Sequence, residues 1–96
     1  VKPKGRITID DGAVKAISEA KKSLLASGIL DIDGTFDLGD AVEIADISGR
    51  LIGKGIVNYN VNELQVIKGK KTREIRDILG STYFDEVINR DDLILL

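Results

Sequence analysis

GDAVEIADISGRLIGKGIVNYN, residues 39 to 60, is the stretch that decides the fold of this chain. Within it Val42 and Ile44 flank Glu43, which is the period-2 alternation of a half-buried strand. Ser48-Gly49 is a turn signal, and apolar residues resume from Leu51 to Tyr59, so two strands joined by a tight turn are expected. Gly53 and Gly55 fall inside the second strand. Glycines there mark a bulge or a close approach of neighbouring backbone, a better account than a phosphate loop built on Gly53-Lys54-Gly55.

Working outward, Ile7 and Ile9 alternate with Arg6, Thr8 and Asp10 as another strand. Asp10 or Asp11 caps a helix over about residues 11 to 19, with Ala13, Val14 and Ile17 as its apolar stripe. Ile29 to Phe36 alternates again, placing Leu30, Ile32 and Phe36 on one side and Asp31 and Asp33 on the other. Downstream, a helix over Asn62 to Lys68 opens with Asn62-x-x-Gln65, a capping-box variant, and stops at Gly69. Thr72 caps a further helix carrying Ile75, Ile78 and Leu79, which Gly80 ends. Short strands near Glu86 to Asn89 and Leu93 to Leu96 complete the chain. About six short strands with three short helices predict a mixed-β pseudo-barrel rather than a sandwich or a βαβ sheet. Residues 1 to 5, with two lysines, the only proline and a glycine, read as a linker remnant, and 6 to 96 as one domain.

Ninety-six residues, 43% hydrophobic and 31% charged, suit one folded domain. With neither cysteine nor histidine, the chain has no disulfide, no thiolate or imidazole metal ligand, and no imidazole catalysis. Its apolar runs are only a few residues long, so no helical membrane span and no signal peptide are expected, and a cytoplasmic location is. The net charge of −2 conceals blocks: +3 over residues 1 to 24, −6 over 25 to 49, +5 over 50 to 76 and −4 over 77 to 96. Such alternation leaves room for one basic face.

No motif carries catalysis. Gly69-Lys70-Lys71-Thr72 imitates the tail of a P-loop, but Leu64 stands where the second glycine belongs, and the residue order is wrong. A calcium loop starting at Asp31 fails at Phe36 and Val42, where glycine and glutamate are needed. Lys15, Lys21 and Lys22 lie on or just after the first helix, where lysines either contact phosphates without reading sequence or simply favour a helix C-terminus. Phe36, Tyr59, Tyr83 and Phe84 are too few and scattered for a base-stacking platform.

The blocks RITIDDGAVKAI (6 to 17), KSLLASGI (22 to 29), the opening stretch, IKGKKTREIRDILG (67 to 80) and INRDDLILL (88 to 96) together resemble a PUA domain, in the version found at the C-terminus of the glutamate 5-kinase family. Gly12-Ala13, Gly28-Ile29 and Gly39-Asp40-Ala41-Val42 match the general pattern; Lys54 to Tyr59, Ile67 to Lys70, Ile78 to Gly80 and Val87 to Asp91 are more particular to the kinase version. The resemblance implies a non-catalytic domain of structural or regulatory role. It would follow an amino-acid-kinase domain that phosphorylates glutamate with ATP and magnesium, in a parent that forms a homo-oligomer. No catalytic residue and no metal ligand carries over. PUA domains that bind structured RNA use the groove between the first helix and second strand together with the last strand, which points to Lys15, Lys21, Lys22, Ser23 and Arg90. An RNA-binding module is therefore the alternative. The chain departs from the family at Lys21, where a glycine is usual, and at Ala26, where a proline is common. A glycine would matter there if the turn requires positive φ.

Overall fold

A computed structural model describes residues 3 to 80 and 84 to 96. In chain order the elements are β1 (Gly5–Ile9), α1 (Asp11–Ser18), β2 (Ile29–Gly34), β3 (Ala41–Ala45), β4 (Leu51–Ile56), α2 (Val61–Ile67), α3 (Thr72–Leu79) and β5 (Leu93–Leu95). Single turns of 3-10 helix precede β2 (Ala26–Gly28) and β5 (Arg90–Asp92). The five strands form one mixed sheet in the order β2-β1-β3-β4-β5, with β1 and β3 parallel and the other neighbours antiparallel.

Among the described residues the sheet is open, with five strands rather than about six. The strand expected at Glu86 to Asn89 is reduced to one bridge, Leu24 to Ile88. Val87 and Ile88 are both buried, so that segment does not alternate as a half-exposed strand would. Its backbone is shared between partners: Val87 N donates to Leu24 O at 2.8 Å, and Asn58 N donates to Val87 O at 2.9 Å.

Three further expectations change. Leu30 was expected on the inward side of its strand beside Ile32, but it is exposed while Ile29 and Ile32 are buried. The cause is a bulge: Thr8 pairs with Asp31 and Ile9 with Ile29, which leaves Leu30 as the extra residue. The cap of α2 is Asn60, whose side chain accepts from Glu63 N at 2.8 Å while Glu63 accepts from Asn60 N, so the capping box lies two residues before the expected one. Thr72 is already helical, and Glu74 closes the start of α3 by accepting from Lys71 N at 3.0 Å.

Val1 and Lys2 of the expected linker lie outside the described residues, but Gly5 belongs to the sheet and Lys4 N donates to Ala41 O at 2.9 Å. A Cβ at position 5 would lie 2.7 Å from Asp33 O and from the Phe36 ring, so glycine here lets the strand pass under that ring.

The inner face of the sheet packs Ile7, Ile9, Ile29, Ile32, Val42 and Ile44 against Ile17 of α1, Leu64 and Ile67 of α2, Ile75 of α3, and Val87 and Ile88. Each such side chain contributes about 1.5–3 kcal/mol when fully buried. On the outer face, register sets Asp33, Arg6, Glu43, Lys54 and Ile94 side by side across all five strands. Arg6 and Glu43 form an ion pair at 3.2 Å within this row of alternating charge.

Candidate functional site

The carboxyl end of β1 builds one wall of a groove. Asp10 follows Ile9, its side chain accepts from Ala13 N at 2.7 Å, and α1 starts with the small residues Gly12 and Ala13 facing the opening. The segment from Lys22 to Gly28 forms the floor. It is fixed to the first wall by Asp10 N donating to Gly28 O at 3.0 Å, and Gly28 packs so tightly on α1 that a Cβ there would lie 2.6 Å from the Ala13 methyl. The facing wall is the closing segment with Glu86, Asn89, Arg90 and Asp91. Leu24 N donates to Ile88 O at 2.9 Å, and Arg90 N donates to Ser23 Oγ at 2.8 Å. The groove, open to solvent, has a volume of about 710 Å³.

The closing segment is also held from behind. Asn58 Nδ2 donates to Glu86 O at 3.1 Å, and the buried Tyr59 hydroxyl donates to Phe84 O at 2.6 Å while Phe84 N donates back to it. The two rings meet edge to face at 5.6 Å. Within the segment, Asn89 accepts from Asp91 N at 2.9 Å and donates to Glu86 at 2.8 Å.

Of the five residues expected at a binding surface, Lys22, Ser23 and Arg90 line this groove. Lys21 lies beside it, over a shallow depression shared with Ile17, Lys22, Arg90, Leu93 and Leu95. Lys15 is exposed on α1 and lines neither. Reading for cations alone passed over Asp10, Ser27, Glu86 and Asn89, which complete the walls. Two of these, Asp10 and Asn89, stand where a cap residue precedes a helical turn, which is a legible signal.

Lys21 has φ +54, and among the described residues no other non-glycine has a positive φ. The turn it forms returns the chain from α1 to the groove floor, with Lys22 N donating to Ala16 O at 3.0 Å. The turn therefore does require the left-handed conformation that glycine supplies freely, and lysine holds it at a cost of about 1–2 kcal/mol.

The groove is electrostatically mixed. Lys22 and Arg90 face Asp10, Glu86 and Asp91. Two of those carboxylates are occupied, by Ala13 N and by Asn89. The described residues hold no cluster of acids suited to a metal ion and no helix long and apolar enough to cross a membrane. Asp46, in the β3–β4 turn, has its carboxyl held below the usual range, chiefly by the Ser48 hydroxyl at 2.7 Å and further by the amides of Arg50 and Ser48.

A family model of the PUA domain matches residues 5 to 79. The chain is 50% identical over 95 residues to a glutamate 5-kinase of Dictyoglomus thermophilum, and 51% identical over 94 residues to one of a Synechococcus species. The match covers 99% and 98% of this chain but 26% and 25% of those proteins, in their C-terminal part. Among solved structures, a PUA domain of Aeropyrum pernix in complex with tartrate superposes with a TM-score of 0.66 at 19% identity, over 91% of this chain and 41% of that one. The archaeal box H/ACA sRNP Nop10–Cbf5 complex contains a chain matching at a TM-score of 0.61 and 18% identity, over 97% of this chain and 23% of that one. These two likenesses establish the fold.

Proposed function

We propose a function from the premise that this chain belongs to the PUA domain family: it is the non-catalytic C-terminal domain of a glutamate 5-kinase, with a structural or regulatory role. The observation that carries this reading is identity of about half over essentially the whole chain to glutamate 5-kinases, of which it spans about a quarter. ATP, magnesium and the phosphorylation of glutamate belong on this reading to the amino-acid-kinase domain, in a cytoplasmic homo-oligomer. The mixed charge of the groove supports it too, since a surface specialised for polyphosphate would present a cationic excess. The test is to delete this domain from the full-length enzyme. Glutamate-dependent ATP consumption should persist while subunit assembly or the response to pathway product changes. Loss of all turnover from a still-folded kinase domain would overturn the non-catalytic assignment.

A second reading, recognition of structured RNA, is favoured by one observation: Lys22, Ser23 and Arg90 line a single groove with Lys21 alongside. On it, Lys15 adds a peripheral phosphate contact from α1. With about four cations engaged, the logarithm of the affinity for a fluorescent RNA hairpin should fall with the logarithm of salt at a slope of about −3 to −3.5. Binding that survives Lys21→Glu with Lys22→Glu, or no binding at low salt, would remove this reading.

A further inference from the structure

The sheet has two ends with different equipment. The groove opens at the end where β1 finishes, beside Asp10. At the opposite end, about 16 Å away by strand rise, the chain comes into the sheet at Lys4 and Gly5. Beside that point lies the turn Asp37 to Asp40, with Leu38 and Gly39 at its tip. Asp40 N donates to Asp37 O at 3.0 Å, and Asp37 N donates to the Asp40 carboxylate at 2.8 Å. Gly39 N donates to Val57 O at 2.8 Å, and Val57 N donates to Asp40 O at 3.0 Å, which ties the turn to the end of β4. The Asp40 carboxylate also lies 3.9 Å from the Lys4 ammonium. Gly39, at φ +92, permits the tight geometry.

The result is a leucine, 57% exposed, held rigidly at the tip of a turn and followed across those bonds by Ile56, 39% exposed. An apolar anchor whose backbone is already fixed loses little further entropy on binding. Ile47, Ile94 and Leu96 are more exposed, but Ile47 follows β3, parallel to β1, at the groove end of the sheet, and the other two sit on or beyond β5, three strands from β1.

We propose that the Leu38 turn, with Ile56, seats the domain that precedes this one in the longer relatives, leaving the groove at the far end open. The inference rests on the reading of this chain as the C-terminal part of a kinase. Its occupant follows from connectivity: the relatives match in their C-terminal part, so the rest of their chain joins this domain on the N-terminal side, where Lys4, bonded to Ala41 and facing Asp40, lies beside this turn. A tethered domain has its highest effective concentration near the point of attachment.

The test compares maleimide labelling of Leu38→Cys in the 96-residue chain, which has no cysteine of its own, with labelling in the full-length enzyme followed on the tryptic peptide. Ser27→Cys, exposed in the groove, is the control. Labelling at position 38 should slow at least tenfold in the full-length enzyme and be unchanged at position 27. Equal rates at position 38 in both proteins, or slowing at 27 instead, overturn the proposal. The full-length enzyme is also assayed for glutamate-dependent ATP consumption. If that activity is present, either negative labelling result condemns the face alone; if it is absent, the kinase reading itself fails.

Discussion

Replacing Gly28 by alanine should destabilise the domain, and replacing Ala13 by glycine at the same time should recover part of the loss. The added Cβ would lie 2.6 Å from the Ala13 methyl, with Asp10 Oδ1 at 3.8 Å and Ala13 Cα at 3.7 Å. Carbon pairs settle at about 3.5–4.0 Å, so α1 and the groove floor must part by roughly 1 Å. Overpacking of that kind costs about 1–3 kcal/mol. Against it stands a gain of about 0.4–1 kcal/mol from stiffening the unfolded chain, which applies because Gly28 does not occupy a positive-φ conformation. The expected net loss for Gly28→Ala is about 1–2 kcal/mol. Ala13→Gly alone should cost up to about 1 kcal/mol in helix propensity. Combined, the two should be less harmful than their sum by at least 1 kcal/mol, because the deleted methyl is the one that clashes. Urea unfolding followed by far-UV circular dichroism, with m held constant across the four proteins, measures the cycle. Gly28→Ala at wild-type stability, or additivity within about 0.5 kcal/mol, would refute the claim that this contact sets the spacing of groove wall and floor.

Two smaller predictions follow from local geometry. Lys21→Asn should raise stability by about 0.5–1 kcal/mol, since asparagine tolerates positive φ without the chain entropy glycine would add; a fall in melting temperature would show that the turn is not strained. Asp46 should titrate below the ordinary aspartate range in a carboxyl NMR titration, and Ser48→Ala should move it back upward. A carboxyl depressed in the folded state stabilises the fold above its unfolded pKa, and that contribution fades as pH falls through the folded value. An unchanged titration in the Ser48→Ala protein would remove the hydroxyl as the main cause.

The parts of the fold that sequence made legible are those governed by a single neighbour. β1, β3 and the cap at Asp10 follow from period-2 alternation and one side-chain acceptor. Leu30 reads as a partner of Ile32 because its strand looks regular in isolation, and only the mismatch with Thr8 and Ile9 across the ladder extrudes it. Asn60 does not read as a cap because it follows directly on a strand pattern, and Asn62 two residues on offers an equally good spacing. Val87 and Ile88 look like strand, yet their hydrogen bonds go to Leu24 and Asn58 in two different connecting segments. Each miss reflects a partner distant in sequence. At the site, three of the five residues that the family pattern pointed to share one groove, Lys21 lies beside it and Lys15 lines neither depression. The count of cations did not anticipate that carboxylates would line the same walls.

That last difference has a topological cause. The blocks of +3, −6 and +5 along residues 1 to 76 would give separate faces only if each block folded on its own. Instead β1 inserts between β2 and β3, and β4 pairs with β3 on the other side. The order of strands therefore interleaves a basic block with an acidic one, so that Arg6 lies between Asp33 and Glu43, and Glu43 between Arg6 and Lys54. Cross-strand pairs of opposite sign are worth about 0.2–1 kcal/mol each, and they leave the outer face of the sheet without a dominant sign. Lys68, Lys70, Lys71 and Arg73, four of the seven cations of the third block, stay together around the α2–α3 connection, which Gly69 N anchors to Ala26 O at 2.7 Å, one residue from the groove floor at Ser27. Any polyanion bound by this domain should therefore lie across the groove and this connection, and avoid the sheet face, where charges of opposite sign alternate.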